Sequence, residues 1–369
     1  MKLAVISLNT ENKNLSQYYN SQAEGLAKAL SEMGHELTVY HPVPDLEKER
    51  EHLMKGSVRI EYIKCRHIGK HALITLSMLD TDKACYITAS DNYLMLGKFA
   101  GWCKKNKILC LPYIGVIHSN NASAIKRKIV DIFCNNVKFY KRMPTVVKTP
   151  ALEKSLRDAG AESVFCVPVG LDTELLKRDY AQYSIVELKK KWNYGNTDKV
   201  ILFVGRMTAE KQPEKMVEVF ERMYEKDNSY RLLMVGQGEL LENVRKQIAA
   251  AHLENKIAIY EKVPNDRMWE LYRMSECSIN LNTHEIFGMA ILEAMYYENA
   301  VIALKAPGPE LIIENGISGY ICADEEELIQ KALCVDKAAI GKAAHLHVVE
   351  HFLWKNSAKK IEKIICDRM

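Results

Sequence analysis

Residues 277–281, Cys-Ser-Ile-Asn-Leu, read as a short buried strand, and Asn282-Thr283 carries it through a loop into a helix of good formers at 289–297. The connecting text is His284-Glu285-Ile286-Phe287-Gly288-Met289-Ala290-Ile291-Leu292-Glu293-Ala294-Met295. Glu285 falls in the loop beside the helix start, and Glu293 lies about two turns further along. Gly288 lets a ligand approach the backbone closely, and the free N–H groups at the helix start attract an anion. Two carboxylates flanking an anion site suit a ligand that carries hydroxyls and phosphates together, such as a sugar nucleotide. Taken alone, the pair is also accounted for as a solvated loop acid and a helix-surface acid, since acids near helix starts are common.

The chain opens with the same kind of unit. Residues 2–8 form an apolar strand, and 15–33 a helix with Leu15, Tyr18, Tyr19, Leu26, Ala29, Leu30 and Met33 on one side. Gly34-His35 ends that helix and 36–40 begins the next strand. A β-α-β start predicts a doubly wound sheet with its ligand loops at the carboxyl ends of the strands. Further strands are expected at 59–64, 84–89, 108–117, 145–148 and 163–168, with helices at 94–106 and 122–139. A lysine-rich helix at 185–192 precedes a second series of strands at 199–204, 231–235, 256–260 and 300–304. Ala306-Pro307-Gly308-Pro309-Glu310 reads as a sharp turn.

With 369 residues the chain has room for two domains, and 48% apolar with 27% charged residues describes a globular protein. No apolar run approaches the ~18 residues of a membrane helix, and LAVISL at the start has no basic region before it, so neither a span nor an export signal is expected. The ten cysteines show no CxxC pairs and imply reduced thiols, not a metal site. A net charge of +4 does not imply nucleic acid. Residues 122–142 hold Lys126, Arg127, Lys128, Lys138, Lys141 and Arg142 among Ile125, Ile129, Ile132 and Phe133. That basic amphipathic text reads as a solvated helix face or as an attachment to anionic membrane or a lipid diphosphate.

Glu285, any residue, Phe287-Gly288, then four residues and Glu293-Ala294-Met295 resembles the signature of the retaining glycosyltransferases of family 4, the group 1 enzymes of GT-B fold. Val204-Gly205-Arg206 with Glu210-Lys211, the turn Gly236-Gln237-Gly238 and Asn315-Gly316-Ile317-Ser318-Gly319 resemble further family motifs in the same order. The resemblance implies an α/β protein of two Rossmann-like doubly wound domains facing a central cleft. Val167-Pro168-Val169-Gly170-Leu171-Asp172-Thr173 resembles the link between them. It sets residues 1–170 as an acceptor domain, joined by the terminal helix from about 352 to 369, and 171–351 as the donor domain. Over the first half the resemblance is weaker, and the loop Asn9-Thr10-Glu11-Asn12 lacks the glycine pair that many members carry.

What the resemblance implies is transfer of a sugar from a nucleotide diphosphate, uridine first among bases, to a hydroxyl of a glycan or lipid-linked acceptor with retention at the anomeric carbon. Bacterial cell-surface polysaccharide synthesis and a cytoplasmic location, with peripheral membrane contact through Lys126, Arg127 and Lys128, go with it. Arg206 and Lys211 would hold the diphosphate together with the helix start after Gly288, supplying enough positive field that no metal or other cofactor is needed. Glu285 would bond the sugar hydroxyls and Glu293 the ribose diol. Gly205, Gly236, Val263, Pro264, Phe287 and Met289 would line the donor. His118 stands where family members place a histidine beside the donor sugar, although a strand-end histidine is otherwise scaffolding. The rival readings are a GT-B sugar-nucleotide epimerase, a phosphorylase, and a binding protein without turnover.

Overall fold

The structure, a computed structural model, describes residues 1–11, 21–89, 91, 93–117, 134–173, 176–177 and 179–369. The chain forms two units, Met1–Gly170 with Leu353–Met369, and Leu171–Phe352.

The first unit is built on β1 (Lys2–Ile6), β2 (Glu36–Val43), β3 (Arg50–Lys55), β4 (Val58–Lys64), the small strands β5 (Arg66–Ile68) and β6 (His71–Leu73), β7 (Cys85–Thr88), β8 (Leu109–Ile114), β9 (Thr145–Val147) and β10 (Val164–Cys166). Eight of them form one sheet in the order β10-β9-β8-β7-β1-β2-β4-β3, all parallel except that β3 runs antiparallel to β4. Leu3, Ala4, Val5 and Ile6 are fully buried, the mark of a strand covered on both faces by helices. Two elements were not expected from the sequence. Residues 50–55 pair as an edge strand, and β5 with β6 makes a separate antiparallel ribbon; neither has the apolar run that announces a buried strand. The helix expected from 15 is described over Gln22–Glu32, where Ser21 caps it by accepting the N–H of Glu24 at 3.3 Å.

The last helix, Trp354–Cys366, returns to the first unit and packs on Gln22–Glu32. Gly25 makes room for it: a Cβ there would lie 2.3 Å from the Trp354 indole nitrogen. Ser357 donates to the carbonyl of Pro168 at 2.7 Å, and His35 meets Glu362 at 2.7 Å.

The second unit is a six-stranded, wholly parallel sheet of β11 (Lys199–Val204), β12 (Tyr230–Val235), β13 (Ile257–Tyr260), β14 (Cys277–Asn280), β15 (Ala300–Leu304) and β16 (Tyr320–Cys322) in the order β13-β12-β11-β14-β15-β16. Helices Pro213–Lys226, Leu241–Ala250, Asn265–Met274, Met289–Tyr296 and Glu325–Cys334 connect or cover the strands. Residues 306–310 are not a simple turn. Pro307–Ile312 is a helix with proline at its first position, where a missing N–H costs nothing, and its Gly308 N–H donates to the carbonyl of Glu285 at 2.7 Å.

Candidate functional site

The chain leaves β11 outward to β12 and β13, then returns to place β14 on the other side of β11. The reversal point of a doubly wound sheet opens a crevice at the carboxyl ends of the two strands flanking it. Here those strands are β11 and β14, joined through Ile201 opposite Cys277 and Leu202 opposite Ser278. Their following loops carry Gly205-Arg206…Lys211 and Asn282…Gly288.

Backbone contacts hold the loops in place. Gly236, at φ 150°, lies so close to β11 that a Cβ would sit 1.8 Å from the Gly205 carbonyl oxygen. The N–H of Met207 bonds the carbonyl of Gln237, and the side chain of Gln212 donates to the carbonyl of Leu281 at 2.8 Å. That last bond ties the Lys211 turn to the end of β14. Lys211 Nζ therefore reaches Glu285 Oε2 at 2.6 Å across 74 residues of sequence, with the two side chains 22% and 12% exposed. Asn280 and Asn282 donate to the same carboxylate oxygen at 3.3 and 3.5 Å.

Arg206 does not join Lys211 on one point. Its guanidinium pairs with Glu210, four residues on in the same loop, and is 60% exposed. Both cations that the sequence assigned to one anion are thus matched with a glutamate of their own. Gly288 adopts φ 98°, outside the comfortable range of any other residue, and caps the helix Met289–Tyr296 with no side chain over its first N–H groups.

Glu293 is half-buried on that helix, where the hydroxyl of fully buried Tyr272 donates to it at 3.1 Å. Burial pushes the Glu293 carboxyl up to about 7, against the opposing pull of the Tyr272 bond. Phe287 and Val263 are buried, Pro264 precedes the helix Asn265–Met274, and Met289 is partly exposed at the helix start. Gln212, Tyr272, Asn280 and Asn282 were not singled out from sequence, and Glu210 only as part of the Glu210-Lys211 motif. The two asparagines carried a signal, being polar residues that alternate at the end of an apolar strand.

His118, Lys126, Arg127 and Lys128 lie outside the described residues. In the first unit the corresponding reversal falls between β1 and β7. There Asp91 accepts the N–H groups of Gly115 and Val116, at 2.5 and 3.2 Å, and His41, almost wholly buried, contacts Glu11 at 2.6 Å and Glu24 at 3.2 Å. A cavity of about 670 Å³ lined by Lys2, Thr38, Asp80, Asp82 and Lys83 opens at the other end of that sheet and has no part in either crevice. Among the described residues no three His, Cys, Asp or Glu side chains are grouped to hold a metal ion. No described helix is long and apolar enough to cross a membrane.

The geometry of the second unit has counterparts. Residues 184–334 match the family described as glycosyl transferases group 1. An N-acetyl-alpha-D-glucosaminyl L-malate synthase of Bacillus anthracis is 24% identical over 198 residues, 52% of this chain and 51% of that protein. The match thus spans about half the length of that curated relative. Sucrose-phosphate synthase of Thermosynechococcus elongatus superposes with a TM-score of 0.75 at 16% identity, covering 99% of this chain and 98% of that one. HepE of Anabaena, solved in complex with UDP-glucose, superposes with a TM-score of 0.73 at 16% identity over the whole of both chains. The fold is GT-B.

Proposed function

We propose that the protein is a retaining glycosyltransferase that moves a sugar from a nucleotide diphosphate donor, with uridine the first base to test, to a hydroxyl of a glycan or lipid-linked acceptor in cell-surface polysaccharide synthesis. The observation that carries this reading is the Lys211–Glu285 pair, set at the reversal point between β11 and β14 beside the uncapped helix start at Gly288. A cation, a helix dipole and a carboxylate within one crevice match the needs of a diphosphate joined to a polyhydroxylated ring. The family match of this unit and the UDP-glucose complex of HepE support it.

In this mechanism the bond from the anomeric carbon to the diphosphate oxygen lengthens first. Lys211, Arg206 and the helix start after Gly288 stabilise the charge left on the diphosphate, so that no divalent metal is required. The acceptor hydroxyl attacks on the face being vacated and gives its proton to the departing phosphate oxygen. Glu285 holds sugar hydroxyls and Glu293 the ribose. Neither carboxylate is required as base, and a double displacement through an enzymic carboxylate is the alternative route. The protein would work in the cytoplasm, at the inner membrane face if the basic text at 126–128 engages lipid.

The test is incubation with a panel of nucleotide sugars in EDTA without acceptor, followed by chromatography. Slow release of a free nucleoside diphosphate from one donor supports the reading and names base and sugar together. Conversion of a donor to its epimer would replace it with the epimerase reading. Binding with no turnover, even after lipid-linked glycans are added, would replace it with a binding protein.

A further inference from the structure

Glu285 is held by only one of its two oxygens, and this detail extends the donor-site reading on which it rests. Lys211 Nζ at 2.6 Å, Asn280 Nδ2 at 3.3 Å and Asn282 Nδ2 at 3.5 Å all converge on Oε2, while among the described residues no donor reaches Oε1. The two amides have a fixed sense. Asn280 Oδ1 accepts the backbone N–H of Asn282 at 2.9 Å, and Asn282 Oδ1 accepts that of His284 at 2.9 Å. Turning either amide over would set N–H against N–H, so both NH₂ groups must face the carboxylate.

A diphosphate carries more charge than a carboxylate and competes with it for the same ammonium. We propose that the donor's diphosphate exchanges with Glu285 as the partner of Lys211, and that Asn280 and Asn282 are positioning residues that keep Glu285 in register after the lysine is drawn away. The exchange converts a neutral ion pair into a carboxylate steadied by two neutral amides. Its free oxygen, Oε1, is then a stronger acceptor for one sugar hydroxyl than it was beside the ammonium. The sugar contact is thereby made conditional on the diphosphate contact, and a ligand lacking phosphates leaves Glu285 neutralised.

The full chain is titrated calorimetrically with UDP, GDP and ADP in turn, and turnover is followed with the nucleotide sugar of the base that binds. Glu285→Gln leaves Lys211 without a carboxylate to abandon; its affinity for the nucleoside diphosphate should rise about threefold or more, while turnover falls at least about tenfold. The double variant Asn280→Ser, Asn282→Ser keeps hydroxyls able to accept the two backbone N–H groups but removes the amide donors. It should bind the nucleoside diphosphate as wild type does, within about twofold, and lose about tenfold in kcat. Unchanged or weaker binding by Glu285→Gln overturns the exchange. Wild-type kcat in the serine variant overturns the positioning role, and so does a parallel loss of binding and kcat, which marks a merely structural part. If wild-type protein binds none of the three nucleotides, the donor-site reading itself fails, an outcome distinct from the others.

Discussion

The hydroxyl of Tyr272 donates to the carboxylate of Glu293 at 3.1 Å, linking the helix before β14 to the helix after it. Burial raises Glu293 to about 7, so it changes charge within the working range of pH. A ribose diol bonds a carboxylate better than a neutral acid, hence nucleoside diphosphate affinity should rise between pH 6 and pH 8. Glu293→Gln should flatten that rise, and Tyr272→Phe should move its midpoint upward by removing the bond that favours the ionised form. Titration calorimetry at three pH values checks both. The effect on folding has the opposite sense: with its folded value above the ordinary 4.5, this carboxyl favours the folded state at low pH, and the contribution is lost as pH rises through about 7.

His41 supplies a second pH dependence, in the first unit. Glu11 and Glu24 face its two ring nitrogens and Tyr62 stacks on it at 5.7 Å, while Lys55 pairs with Glu24. Although burial opposes the charge, the two glutamates raise the imidazole to about 9, and Glu24 is held down to about 2. Stability from His41 is full below its ordinary 6.5 and lost as pH rises through about 9; that from Glu24 is present above 4.5 and lost as pH falls through about 2. His41→Ala should cost about 2–3 kcal/mol at pH 7, since it leaves two carboxylates facing a void, and less at pH 10. Urea unfolding at the two pH values measures the difference.

Lys211→Ala and Arg206→Ala should each lower kcat/KM by about 3 kcal/mol, on the order of a hundredfold, by removing a charge from the departing diphosphate. Steady-state kinetics with the active donor decides it. A loss below about threefold in either variant would remove that residue from the diphosphate site.

Gly236→Ala should disturb the site through the backbone alone. Its Cβ would strike the Gly205 carbonyl 1.8 Å away, so β11 and β12 must part where the Arg206 loop begins. A fall in the melting temperature should accompany lost nucleotide binding, with a cost of at least about 2 kcal/mol.

Replacing Lys126, Arg127 and Lys128 together by Ala should weaken binding to anionic liposomes in a sedimentation assay. Equal binding by the triple variant would mean that this basic text is a solvated face.

The parallel strands β11 and β15 of the second unit were legible because both faces are covered, which makes residues 200–204 and 300–304 continuous apolar text. The edge strand Arg50–Lys55 was not, since Glu51, His52 and Lys55 obey solvent and only pairing with β4 fixes the conformation. Pro307-Gly308-Pro309 looked like a turn because the rigidity that favours a turn also favours the first turn of a helix. Within the candidate site, residue types could be read but partners could not. Lys211 and Glu285 were both assigned to a ligand; the pairing of β11 with β14 and the bond from Gln212 to Leu281 bring them to each other. Arg206 turned to Glu210, four residues away, a local pairing made within the loop that follows β11.

The return of Trp354–Cys366 to the first unit sets an order of events during synthesis. The second unit is one continuous stretch and has all its strands once residue 322 has left the ribosome. The first unit, although translated earlier, waits with Gly25 and the surface around it uncovered until Trp354 arrives. The half of the protein made first is therefore the half completed last: once Phe352 has emerged the second unit is whole, while the first still lacks the helix that starts at Trp354.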